Sequence, residues 1–237
     1  MALRHFLVGT GAVLALCSAT GMVQAEVVLQ TTRVIVPAGL AEATLRMKNE
    51  GEQASLVQAW VDAGEGSQQD VPFVLTPTLF RLGPGSSQSV RIVYTGEPLP
   101  TGKETLFWLN VLDVPPKSTL PGDRLQVAVR SRIKLLFRPE GLPARGDALT
   151  WVVAAGKSGR SVLRVLNTSP YVHNFGSITY RAGGREFDAG MGYVLPDEDA
   201  VFPLPPEASS FHSGDVTYVE IDDYGGTKAK DAVARSQ

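Results

Sequence analysis

Cysteine is almost absent. Of 237 residues only Cys17 is a cysteine, and it lies in an apolar leader. Once that leader is removed, neither a disulfide nor a cysteine metal site can form, so each exported domain must be held by its core alone. Histidine is nearly as scarce. His173 and His212 are the two outside the leader, and neither has a second His, a Cys or a spaced carboxylate nearby in the sequence to suggest a metal. Glycine is plentiful, at 24 residues. Yet none of the phosphate-cradling or nucleophile-elbow patterns (G-x-G-x-x-G, G-x-x-x-x-G-K-[ST], G-x-S-x-G) occurs. The acidic run Asp197-Glu198-Asp199 reads as a solvated turn, since a calcium loop needs more oxygen ligands. These absences argue against an enzyme and imply no cofactor and no metal. A formal net charge of −2 also makes a poor nucleic-acid binder unless the charge is clustered. Long helical periodicity, internal repeats and low-complexity tracts are missing as well.

The leader is residues 1–25. Arg4 and His5 form a short polar start, Phe6 to Met22 is apolar or small, and Val23-Gln24-Ala25 supplies a small-residue cleavage site. This is the pattern of a secretory signal peptide. Gly, Ser and Thr interrupt the run, which falls short of the ~20 strongly apolar residues of a membrane anchor. No later segment could span a bilayer. The remaining chain of about 210 residues suits two domains of ~100 residues.

What is present is alternation. The stretch L-Q-V-A-V-R-S-R-I-K-L-L-F-R-P runs from Leu125 to Pro139. Leu125, Val127, Val129, Ile133, Leu135 and Phe137 share one parity. Gln126, Ala128, Arg130, Arg132, Lys134 and Arg138 share the other. A pattern of period two is a strand with unlike faces. At roughly 15 residues it is far longer than the usual ~5–6, so apolar positions are left over that another surface must cover. Parity alone does not decide whether Leu125, Val127 and Val129 fill their own core or face a partner.

Further strands are expected near Val27–Val36, Ala43–Asn49, Ala54–Val61, Val74–Leu75, Thr78–Arg81, Ser87–Tyr94 and Thr105–Val114, with Trp60 and Trp108 as core or near-core aromatics. Seven or eight strands in roughly 115 residues fit an immunoglobulin-like sandwich. Pro139, Gly141, Pro143 and Ala144-Arg145-Gly146-Asp147 read as the hinge. The second half, with expected strands at Thr150–Val153, Ser161–Asn167, Val172–Arg181, Arg185–Asp188, Met191–Val194, Ala200–Pro203 and Val216–Asp222, reads as a smaller sandwich. Thr227 to Gln237 is polar and expected to fray. The fold class is therefore all-β: an N-terminal domain over 26–143 and a C-terminal domain over 148–237.

Thr31-Thr32-Arg33, F-W-L-N-V-L-D-V-P-P at 107–116, R-I-K-L-L-F-R-P at 132–139, Asn167-Thr168-Ser169-Pro170-Tyr171 and I-D-D-Y-G-G at 221–226 together closely resemble the periplasmic chaperones of the chaperone–usher pathway. The resemblance covers essentially the whole processed chain. It implies two immunoglobulin-like domains in an L or boomerang, with a pilus subunit bound along the last strand of the first domain. It implies that Leu125, Val127 and Val129 fill the groove of an incomplete pilin by donor-strand complementation, a form of strand addition. Arg33 and Lys134 are implied to hold the subunit's terminal carboxylate. Without the resemblance, an Arg in one strand and a Lys in another are ordinarily solvated or paired. Glu104, Arg138 and Asp223 match the family's interdomain salt-bridge positions. The short loop from Pro116 to Leu125 and the absent cysteine pair resemble the short-loop branch that assembles rod-like pili. Thr76-Pro77-Thr78 stands where relatives often show two prolines. The expected function is an ATP-independent periplasmic chaperone that caps pilus subunits, passes them to an outer-membrane usher, and self-associates when free. The alternative is a secreted carbohydrate- or cell-binding module, which would need aromatic or polar clusters at loop tips.

Overall fold

In a computed structural model, residues 27–40, 42–117, 127–146, 148–156 and 160–236 are described. Leu125 and the signal segment lie outside them.

The first domain holds β1 (Val27–Leu29), β2 (Arg33–Pro37), β3 (Glu42–Asn49), β4 (Ser55–Asp62), β5 (Phe73–Thr76), β6 (Leu79–Leu82), β7 (Ser87–Tyr94), β8 (Thr105–Val114) and β9 (Val129–Arg138). They form two sheets, ordered β1-β3-β7-β5 and β2-β9-β8-β4-β6. Between them lie Leu45, Met47, Val57, Ile92, Leu109 and Leu135, all with no exposed surface. Phe73 meets Phe107 edge-on at 5.0 Å. The alternation in each strand sends one side-chain set into this layer and leaves the other on the outer faces. The Thr76–Pro77 bond is cis.

The expected single strand over Val27–Val36 is two strands. The Thr31 hydroxyl donates to the Arg33 carbonyl at 2.7 Å, and the chain steps between sheets. β1 pairs antiparallel with β3, whereas β2 runs parallel to β9 from Arg33↔Lys134 to Pro37↔Arg138. Local hydroxyl-to-backbone bonds of this kind compete with a ladder. A second correction concerns Trp60 and Trp108. Both are half-buried, but they lie on the outer face of their sheet, away from the core.

The second domain is β10 (Leu149–Ala155), β11 (Ser161–Asn167), β12 (His173–Ala182), β13 (Arg185–Val194), β14 (Asp199–Pro203), β15 (Gly214–Ile221) and β16 (Thr227–Ser236). Their order is β13-β12-β15-β16-β10-β11-β14. Trp151, 2 % exposed, packs against Phe175, Tyr218 and Phe202. Gly183 and Gly184, both at positive φ, make the tight hairpin between β12 and β13, and a Cβ on Gly183 would run into the Phe211 ring. The break expected between Asp188 and Met191 is instead a bulge at Gly190 inside one strand, with the register jumping from Thr179↔Asp188 to Ile178↔Gly190. The tail expected to fray is β16. It pairs with β15 from Thr227↔Ile221 to Ala234↔Gly214, and its end lies parallel to β10. Polar outward positions hid a strand whose Ala234 is fully buried.

Candidate functional site

β9 carries the site. Its inward parity runs from core to open surface. Leu135 and Phe137 belong to the core, Ile133 packs on its margin, Val129 is half-exposed and Val127 is 49 % exposed. One edge of β9 is fully paired to β8, from Thr105↔Phe137 to Asp113↔Val129. β2 covers the other edge only between Lys134 and Arg138. Among the described residues nothing pairs with that edge from Val129 to Ile133. Its free amide and carbonyl groups are a template for an added strand.

The parallel pairing of β2 with β9 sets Arg33 directly opposite Lys134 at the point where the cover stops. Arg33 is 6 % exposed and donates from Nη1 to the Ile221 carbonyl at 3.2 Å, while its buried Nε has no partner. Lys134 is half-buried. Its Nζ lies 5.3 Å from the ring centre of Trp108 and 4.9 Å from that of Tyr193 on β13. Among the described residues neither cation has a carboxylate within ion-pair distance. Burial, with Arg33's charge adding to it, pulls the Lys134 ammonium down to about 8. Burial also lowers the Arg33 guanidinium, against the attraction of Asp223 and Asp222. Two desolvated like charges face each other with no carboxylate in direct contact, only the more distant pull of Asp223 and Asp222 on Arg33, a costly arrangement that an arriving carboxylate would relieve. An open cleft of about 460 Å³ lies alongside, lined from the first domain by Trp108, Lys103 and Arg132 and from the second by Tyr193, Leu195 and Glu198.

The other cations on this face, Arg130 and Arg132, have hydrogen-bond partners and share one carboxylate, Asp62. Arg132 pairs with Asp62 at 3.0 Å and lies 4.4 Å over Trp108. Arg130 donates twice to Asn110 Oδ1, at 2.9 and 2.6 Å, and lies 5.4 Å over Trp60.

Glu104, Arg138 and Asp223 come together. Arg138 Nε donates to Glu104 Oε1 at 2.6 Å, and its two terminal nitrogens grip Asp223 at 2.6 and 2.9 Å. Burial opposes the charge on Arg138, but Asp223 and Glu104 outweigh it and raise its pKa. Asp223 is held low for the same reason, against its own burial. The Glu104 side chain has no exposed surface, and its Oε2 accepts from the Val172 amide at 2.8 Å. Sequence reasoning missed Arg145 here, because its setting reads only as a linker. It stands 4.0 Å from Glu104 and 3.8 Å from Asp223, and it stacks 4.8 Å from Tyr171, whose hydroxyl donates to the Pro143 carbonyl at 2.7 Å.

His173 finds a carboxylate partner far away in the sequence: Nδ1 lies 2.6 Å from Glu220, and Nε2 lies 2.9 Å from the Ser169 hydroxyl. This Ser–His–Glu chain is sealed. Ser169 is 5 % and His173 1 % exposed, and the Ser169 oxygen is already engaged by Asn167 Oδ1 and the Tyr171 amide. No substrate can reach it. It braces the Asn167–Val172 loop that meets Glu104. Among the described residues no group of three or more His, Cys, Asp or Glu could hold a metal ion, and no helix is long and apolar enough to cross a membrane.

Residues 26–143 match the family described as "Pili and flagellar-assembly chaperone, PapD N-terminal domain", and residues 145–232 match "Pili assembly chaperone PapD, C-terminal domain". The chaperone protein FimB/FhaD of Bordetella pertussis is 36 % identical over 221 residues, covering 89 % of each chain. The crystal structure of the YadV chaperone superposes with a TM-score of 0.75 at 32 % identity, over 88 % of this chain and all of that one. The SafB chaperone, solved with the Salmonella enterica SafA pilin, superposes with a TM-score of 0.71 at 33 % identity, over 87 % and 95 %.

Proposed function

The chain belongs to the pilus-assembly chaperone family, and from that premise we propose that it works in the periplasm by lending β9 to an unfinished pilus subunit. The family is one of chaperones, not enzymes. The carrying observation is that the open edge of β9 ends at a pair of cations, neither of which has a carboxylate at ion-pair distance among the described residues. The subunit adds a strand along Val129–Ile133, its backbone bonding to the free edge. Val127 and Val129, together with Leu125 beyond the described residues, enter its groove. Each such side chain contributes about 1.5–3 kcal/mol on full burial, before ordering costs. The subunit's terminal carboxylate meets Arg33, a planar fork, and Lys134, a compact charge. The Glu104–Arg138–Asp223 cluster fixes the angle between domains 26–143 and 148–237, so that the cleft stays open to that terminus.

The leader at 1–25 directs export, an outer-membrane usher receives the loaded complex, and the free chaperone hides its bare edge by self-association. The carbohydrate-binding alternative loses its support. Trp151 is core, and Trp60 and Trp108 lie under Arg130 and Arg132.

Co-expression with a candidate pilin tests the reading. Arg33→Ala and Lys134→Ala should each leave a folded chaperone and lose the co-purified subunit. Recovery of the complex at wild-type yield from either variant would refute it.

A further inference from the structure

Tyr193 belongs to the second domain, yet its ring stands 5.9 Å from that of Trp108 in the first, at 69°. The ammonium of Lys134 lies within about 5 Å of both ring centres. Cation–π attraction operates within about 6 Å of a ring centre and is stronger when the cation is desolvated. Trp108 is the residue paired with Lys134 across β8 and β9, so its contact follows from sheet register. Tyr193's does not. It depends on where the second domain stands.

We propose that Tyr193 is a positioning residue for client recognition: with Trp108 it holds the Lys134 ammonium at the end of the open β9 edge, making the grip on a pilin's terminal carboxylate depend on the interdomain angle. This rests on the proposed anchoring role of Lys134.

A long lysine side chain is ordinarily free to swing, and fixing it costs rotamer entropy. Two rings that attract the ammonium without neutralising it meet that cost in advance and leave the positive charge for the client. A carboxylate in Tyr193's place would hold Lys134 as firmly but cancel it, as Asp62 does for Arg132. The charged and titratable groups about Lys134 are Arg33 on β2, Arg132 two residues back on the same face of β9, and Tyr193 on β13. Asp222 and Asp223, in the turn before β16, act on Arg33. With the free ammonium titrating near 8, it is charged below that pH and neutral above it. Preference for a carboxylate should therefore fade as pH rises through about 8 to 9.

The test uses the full processed chaperone and two synthetic strand peptides of alternating Val and Thr, one ending in a free carboxylate and one in an amide. Lys134 is followed by ¹³Cε NMR, and peptide affinity is measured at pH 6.5 to 9.5. Tyr193→Leu keeps apolar bulk and removes the ring; Tyr193→Phe keeps the ring. The Leu variant should lower the Lys134 midpoint by about half a unit to one unit. It should also cut the preference for the free carboxylate at pH 7.5 about three- to tenfold, while the Phe variant behaves as wild type. Wild-type midpoint and preference in the Leu variant would overturn the inference. If Lys134→Met still abolished the preference, the anchoring role would survive that result. If Lys134→Met left the preference intact, the anchoring role and the inference would fall together.

Discussion

Arg138 and Lys134 stand four residues apart on β9 and differ in what holds them. Arg138 has two carboxylates, whereas Lys134 has two rings. The same accounting applies to the buried group behind the hinge loop. Burial pushes the Glu220 carboxyl up, but hydrogen bonds and charge from His173 and Lys230 outweigh it and bring it from 4.5 to about 2. A folded-state pKa depressed in this way contributes stability that is complete above the unfolded value near 4.5 and lost as pH falls toward 2. Glu220→Gln should therefore cost on the order of 2–3 kcal/mol at neutral pH. In urea unfolding at pH 7, 4 and 2.5, the gap between variant and wild type should narrow as the solution is acidified. Nothing local in the sequence signals this network. Its members lie 47 and 10 residues apart in the chain, and only the pairing of β12 with β15 and of β15 with β16 assembles them. Arg33 and Lys134 are of the same kind. Their residue types suggest nothing alone, and the parallel register of β2 on β9 makes them a pair.

Strands were legible wherever alternation met a turn-forming residue. Ser87–Tyr94, Thr105–Val114 and Ser161–Asn167 match their expected bounds. Three failures share one cause, that neighbours decide what a segment becomes. No glycine or proline marks Gln30–Thr32, so the step between sheets was invisible. Gly190 looked like a stop and is a bulge. β16 looked too polar for a strand, but only one of its faces needs to be apolar. On β9 the boundary between core and exposed residues was also hidden, because parity is the same on both sides. Burial separates them, and substitution should too. Leu135→Ala, at a fully buried position, should cost about 2–5 kcal/mol. Val127→Ala should change stability by less than about 0.5 kcal/mol while weakening the chaperone–pilin complex. Chemical denaturation and complex yield, measured on both variants, separate the two roles.

For the molecule as a whole, motion between the domains would be the default without a specific clamp. Arg138 lies at the end of the last first-domain strand and holds Asp223 in the turn between β15 and β16. Asp223→Asn should broaden the distribution of interdomain orientations seen by small-angle scattering, while changing the stability of either domain by no more than about 1 kcal/mol. Arg138→Ala should be worse, about 3 kcal/mol, because it removes the 2.6 Å partner of the fully buried Glu104 carboxylate and leaves it only the Val172 amide and Arg145 at 4.0 Å. Equal effects of the two substitutions on thermal unfolding would contradict this.

Because β2 occupies the edge of β9 from Lys134 onward, the molecule contains its own ruler. A client strand docked as proposed could not slide past that stop, so the distance from its last residue to each valine would be a fixed number of rungs. Lengthening β9 by a single residue between Val129 and Lys134 would leave the grip intact yet turn every lent side chain the wrong way, a mismatch no gain in hydrophobicity could repair.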